Sequence, residues 1–160
     1  MIATDFSAKI EQYKDTIFRV AYSYCNNVFE AQDVSQEVFV KLYTQCKPFK
    51  TREEEKAWLI RITINYCKDL KKSSWHRRRA ELNENSAISN GSIPDDNEVF
   101  DEVMALPQKY RTVIHLYYYE EYPIREIAAL TQQKDSTVQT QLQRARAMLK
   151  KQLGEAYDYE

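Results

Sequence analysis

A chain of 160 residues with 43% hydrophobic and 29% charged residues can bury a core, either as one domain or as two small helical bundles. Its two glycines and a formal net charge of −1 exclude a fibrous or disordered polymer and leave any nucleic-acid partner to be argued from charge distribution, not from the total. No apolar run reaches the length of a membrane span, and the opening MIATDFSAKIEQY lacks the basic and apolar segments of a secretory signal, so a cytoplasmic protein without membrane insertion is expected.

The first half reads as three amphipathic helices. One is predicted from about Asp5 to Asn26, with Ile10, Tyr13, Ile17, Val20, Ala21 and Tyr24 recurring every three or four residues. A second runs from about Ala31 to Gln45, where Val34, Val38 and Leu42 make one stripe that Phe39 and Tyr43 widen, and Pro48 ends it. Thr51-Arg-Glu-Glu54 matches a capping box that opens a third helix through to about Ser74. That helix is apolar over most of its surface, which places it centrally. Cys25, Cys46 and Cys67 never form a CxxC pair and sit among apolar neighbours, as buried thiols do. His76 and His115 lack the clustered partners a zinc site needs, so no metal and no cofactor is expected.

From Lys68 to Arg79 there are six basic residues against one acid, whereas Ala80 to Met104 carries seven acids and no base. The stretch Glu84 to Asn97, ENSAISNGSIPDDN, is too polar to pack and reads as a flexible linker. Beyond it, Asn97 to Ala105 suggests a short helix, and Pro107 and Pro123 fit the first positions of two more. Val113 to Tyr119 has strand propensity but no period-two alternation, so helix is preferred. The fold class is therefore all-α: two small helical domains, residues 1–82 and 97–155, joined by an acidic and polar linker over 83–96.

Three constellations carry chemistry. In the second domain a short helix after Pro123 with Ile127, Ala128 and Leu130 inward, a polar break at Gln132 to Lys134 and a helix from Thr137 to Leu149 give helix-turn-helix spacing. Val138, Leu142, Ala145 and Leu149 make its buried stripe, leaving Thr137, Gln139, Thr140, Gln143, Arg144 and Arg146 as groove-reading residue types. An antiparallel hairpin with a solvated face would show the same pattern. Asp33, Gln36 and Glu37 share the outer face of the second helix, a patch suited to a basic protein partner or to water. The segment AWLIRITINYCKDLKKSSWHRRR joins a buried helix to a basic end; its charge complements the helix dipole and, with Trp58 and Trp75 nearby, also suits phosphates and unstacked bases.

In this order the segments AQDVSQEVFVKLY, AWLIRITINYCKDL, LPQKYRTVIHLYYYEEYPIREIA and STVQTQLQRARAMLKKQL resemble the extracytoplasmic-function sigma factors, two-domain subunits of bacterial RNA polymerase, over nearly the whole chain. The resemblance implies that Asp33, Gln36 and Glu37, with Phe39 beside them, dock on the clamp helices of the polymerase's largest subunit. It implies that the loop from Pro48 to Glu54 captures a base flipped from the minus-ten element of promoter DNA, and that Asn65, Lys68, Asp69 and Lys72 read that element. Thr137, Gln139, Thr140, Gln143, Arg144 and Arg146 would face the minus-35 element. The acidic linker resembles the connector that runs through the RNA channel. Restraint would fall to an anti-sigma factor, in this family often membrane-bound.

Two departures from the family stand out. Gln132, Gln133 and Lys134 occupy a break where the family often has Gly, Ile and Ser, and the missing glycine implies a different turn geometry. Gln139 and Gln141 replace commonly basic residues, lowering the expected non-specific affinity. From the residues alone, a helix-turn-helix regulator that binds duplex DNA without polymerase and a helical interaction module stay open as alternatives. An enzyme is not expected: there is no Gly-rich phosphate loop, nucleophile elbow or paired histidine.

Overall fold

The computed structural model describes residues 3–45, 48–72 and 98–154. Contacts divide the chain into two units, Met1–Ser92 and Ile93–Glu160. Helices form both, and there is no strand among the described residues.

In the first unit α1 spans Ala3–Cys25, α2 Val28–Thr44 and α3 Arg52–Lys72, and each packs on the other two. Tyr13, Ile17, Val20, Ala21 and Tyr24 of α1, Val34, Val38 and Leu42 of α2, and Leu59, Ile60, Ile64 and Cys67 of α3 form the core. Each large aliphatic side chain buried there contributes about 1.5–3 kcal/mol. The helix α2 starts three residues earlier than the periodicity implied, because two asparagines divide the work at its entry. Asn26 takes a left-handed φ of 51° that ends α1, and the Asn27 side chain accepts from the Glu30 amide at 3.0 Å, capping the first turn. Tyr43, expected to widen the buried stripe, is 51% exposed, and its ring meets Phe6 edge-on at 5.0 Å between centroids.

The capping box at α3 forms with one change. The Thr51 hydroxyl accepts from the Glu54 amide at 3.0 Å, but the Glu54 carboxylate reaches back to the Lys50 amide at 2.9 Å, one residue before the cap. The next residue, Glu55, is buried. It accepts from the Tyr13 hydroxyl at 2.9 Å and pairs with Lys9, so a charge that would be costly alone ties the start of α3 to α1. Burial, and then Glu55 itself, push the Tyr13 phenol upward. Among the thiols Cys67 is buried and Cys25 half-buried, while Cys46 lies outside the described residues. A hydrogen bond with Cys25 and burial raise the Cys67 thiol, as befits an inert structural cysteine.

In the second unit α4 spans Glu98–Met104, α5 Gln108–Ile114, a π-helical turn His115–Tyr119, α6 Ile124–Thr131 and α7 Asp135–Leu153. The long α7 packs against α4, α5 and α6, and Val138, Leu142, Ala145 and Leu149 supply its buried stripe as expected. Pro107 and Pro123 are caps, not first helical residues. Their φ of −55° and −70° suits a helix, but ψ of 150° and 159° is extended, so helical geometry begins one residue later. The stretch Val113 to Tyr119 is helical as preferred, yet its end widens: the Glu120 amide reaches back to the His115 carbonyl at 3.1 Å. Buried His115 pairs with Glu120 at 3.1 Å and stacks on Tyr119. Among the described residues no group of three metal-binding side chains occurs.

Candidate nucleic-acid interface

On α2, Asp33, Gln36 and Glu37 are all exposed on the side opposite Val34, Val38 and Leu42. Phe39 is half-buried at the flank of this face. Two residues that the pattern reading missed lie within the patch itself: Phe29 and Val40, 56% and 60% exposed, follow the spacing 29, 33, 36, 40. Their only sequence signal was bulk at positions that helical periodicity turns away from the core. A face with two carboxylates, an amide and two uncovered apolar side chains suits a protein partner better than nucleic acid, which would be repelled by the carboxylates.

On α3, Asn65, Lys68, Asp69 and Lys72 fall at spacings of three and four and share one side, the first two half-buried and the last two exposed. The neighbouring Lys71 points elsewhere, with its ammonium 4.9 Å from the centre of the Tyr24 ring. At the other end of α3, Phe49 packs on Trp58 with centroids 5.3 Å apart, so the loop entering the helix rests on an aromatic base. Arg52, Glu53 and Glu54 beside it are exposed. Trp75, His76 and the arginines 77 to 79 lie outside the described residues.

In the second unit α6 and α7 enclose the expected break, and Ile127, Ala128 and Leu130 face inward. Without a glycine, the turn is still made through left-handed backbone. Gln132 itself adopts φ 56° and ψ 47°, a left-handed backbone that costs a side-chain-bearing residue about 1 kcal/mol. Amides of Gln132 and Gln133 then satisfy the carbonyls of Ala129 at 3.3 Å and Ala128 at 2.9 Å, which closes α6 as a glycine would. Gln133 and Gln141 exchange two side-chain hydrogen bonds, at 2.8 and 3.2 Å, clipping the turn that follows α6 onto α7. Gln141 is thus partnered within the motif.

Of the six minus-35 candidates, Thr137, Gln139, Thr140, Gln143 and Arg144 are exposed along the arc of α7 opposite its core stripe. Glutamine and arginine there can each make bidentate contacts to base edges. Arg146 stands apart, half-buried at the edge of that arc and donating from Nε to the Tyr118 hydroxyl at 2.7 Å.

Residues 10–78 match the family model of sigma-70 region 2, and residues 97–149 match that of sigma-70 region 4. The chain is 32% identical to the ECF RNA polymerase sigma factor SigW of Bacillus subtilis over 92% of this chain and 88% of that one. It is 27% identical to the sigma factor SigV of the same organism over 90% and 88%. In fold it is similar to the sigma factor RpoE of Bartonella quintana, solved with the anti-sigma factor NepR, at a TM-score of 0.69, 21% identity and coverage of 97% of this chain and all of that one. It is also similar to CnrH, solved with the cytosolic domain of CnrY, at a TM-score of 0.60 and 22% identity over 95% and 89% of the two chains. A chain that carries both regions in this order, and shares 32% of its residues with SigW over nearly its full length, belongs to the extracytoplasmic-function sigma factors of bacterial RNA polymerase.

Proposed function

We propose that this sigma factor divides promoter recognition between its two units, with residues 1–82 binding core polymerase and the melted minus-ten element, 83–96 linking, and 97–155 binding the minus-35 duplex. The observation that carries the reading is the outward arc of α7, where Thr137, Gln139, Thr140, Gln143 and Arg144 are exposed while the opposite stripe is buried. Arg146 borders that arc and joins it as a sixth DNA-facing residue. Asn65, Lys68, Asp69 and Lys72 serve the minus-ten strand, with the loop from Pro48 to Glu54 holding a flipped base. Asp33, Gln36, Glu37 and Phe39 dock on the polymerase.

As a sigma factor the chain directs initiation, and nucleotide addition belongs to the polymerase. Its place of work is the cytoplasm, with the polymerase it directs; among the described residues no helix is long and apolar enough to cross a membrane. Because RpoE was solved with the anti-sigma factor NepR, and CnrH with the cytosolic domain of CnrY, a partner of the anti-sigma kind is proposed here too.

Two variants test the division. Asp33→Ala with Glu37→Ala is expected to weaken core binding at least tenfold with an unchanged circular dichroism spectrum; wild-type affinity would remove the docking assignment. Arg144→Ala is expected to weaken initiation only from promoters that depend on a minus-35 element, and an unchanged footprint would remove the assignment of α7.

A further inference from the structure

Arg146 is held differently from every other polar residue of α7. Its Nε donates to the Tyr118 hydroxyl at 2.7 Å, and its guanidinium carbon lies 5.4 Å from the Tyr117 ring centre and 5.6 Å from that of Tyr118. The two rings meet edge to face with centroids 4.9 Å apart, which fixes the platform. No carboxylate pairs with this cation among the described residues, and its terminal nitrogens have no partner there. Arg111, in the same unit, is by contrast buried and donates to the Leu106 carbonyl at 2.8 Å. Arg146 therefore keeps its charge and its outer fork available while its orientation is already set.

Its place along the helix decides what it meets. At 1.5 Å per residue, Arg146 stands roughly 16 Å from Asp135, the first residue of α7, whereas a major groove is about 12 Å wide and recognition helices read bases from their N-terminal turns. Gln139, Thr140, Gln143 and Arg144 fall nearer the N-terminus, on the arc opposite the core; Arg146 falls beyond them and to one side, where a backbone strand would run. A planar fork of donors fits a phosphodiester. The Tyr118 hydroxyl, which accepts from Arg146, still has its own proton to donate to a second phosphate oxygen.

We propose that Tyr118, supported by Tyr117, is a positioning residue that presets Arg146 to grip a backbone phosphate at the edge of the minus-35 duplex, leaving base discrimination to Gln139, Gln143 and Arg144. This rests on the reading of α7 as the minus-35 helix. Preorientation matters because an arginine otherwise loses much side-chain freedom on binding.

The test uses holoenzyme reconstituted from the full chain and sigma-free bacterial core polymerase, with promoter binding measured across a salt series and a set of minus-35 sequences. Arg146→Ala is expected to weaken binding several-fold on all sequences alike and to lower the slope of log affinity against log salt by roughly 0.9. A single methylphosphonate at the gripped position should weaken wild-type binding by a similar factor and Arg146→Ala no further. Arg146→Lys should recover the slope but not the full affinity, because a point charge lacks the fork. Tyr118→Phe, which keeps the ring, should lose roughly fivefold. The proposal is overturned if Tyr118→Phe binds like wild type, if Arg146→Ala leaves the slope unchanged, or if it shifts the preferred minus-35 sequence. An acidic protein surface as the true partner would appear as such an unchanged slope. Arg144→Ala, measured alongside, separates the two levels: no change in sequence preference there contradicts the reading of α7 itself, whatever Arg146 does.

Discussion

The two units begin their helices by different means. In the first, side chains do it: Asn27 caps α2 and Thr51 caps α3, each by accepting an amide three residues on at 3.0 Å. In the second, the residues preceding α5, α6 and α7 are Pro107, Pro123 and Lys134, and none makes a side-chain cap. The ties between helices differ in kind as well. A buried carboxylate, Glu55, joins α3 to α1 through Tyr13 and Lys9, whereas a neutral pair of amides, Gln133 and Gln141, joins the turn after α6 to α7. The first unit is thus fixed by local caps and a charged tie. The second is fixed by backbone turns that only tertiary packing makes favourable.

This contrast can be broken most strongly at Glu55. Glu55→Ala leaves the Tyr13 hydroxyl buried without its acceptor and should destabilise the first unit by about 2–3 kcal/mol. Trp58 sits on α3 and residues 93–160 contain no tryptophan, so tryptophan fluorescence in a urea titration reports the first unit selectively. Asn27→Ala should cost the same unit about 1 kcal/mol. Gln141→Ala should cost the second unit about 0.5–1 kcal/mol, read as a shift in the circular dichroism transition without a shift in the fluorescence one. If it cost as much as Glu55→Ala, the distinction between charged and neutral ties would fail. Gln132→Gly should stabilise the second unit by about 0.5 kcal/mol, relief of the left-handed backbone outweighing the entropy that glycine adds to the unfolded chain. A loss of stability there would mean that the Gln132 side chain matters to the turn.

The smallest effect concerns pH. Burial, followed by the charges of Glu120 and Glu126, holds the Tyr122 phenol up to about 12, against about 10 in an unfolded chain. Between those values the unfolded state has lost its proton while the folded state keeps it, so stability from this group is complete below pH 10 and declines as pH rises towards 12. Tyr122→Phe should flatten the decline of the second unit's urea midpoint over that window. An unchanged slope would assign the decline to other tyrosines.

What could be read in the sequence follows the same contrast. The core stripes of α1, α2 and α7 repeat every three or four residues, and the hydroxyl of Thr51 announces its own cap; such features are local and were legible. Asn27 was overlooked because Val28 and Phe29 follow it and the apolar stripe proper starts later. Phe29 and Val40 escaped because periodicity places a residue on a face without saying whether anything covers it. The left-handed Gln132 and the π-helical turn at His115–Tyr119 carry no local signature, since a glutamine in that backbone and an amide reaching five residues back are both imposed by packing. The tie between Arg146 and Tyr118 spans 28 residues, a separation at which no spacing rule operates.

Each unit is proposed to read its own promoter element. The direct measurement is run-off transcription with sigma-free core polymerase on a pooled promoter library, sequencing the starts obtained with the wild-type chain, Arg144→Ala and Lys72→Ala. Defined starts behind a shared pair of motifs are expected, with Arg144→Ala relaxing only the upstream motif and Lys72→Ala weakening only starts that depend on the downstream one. Starts without paired motifs, or both variants relaxing both motifs alike, would contradict it.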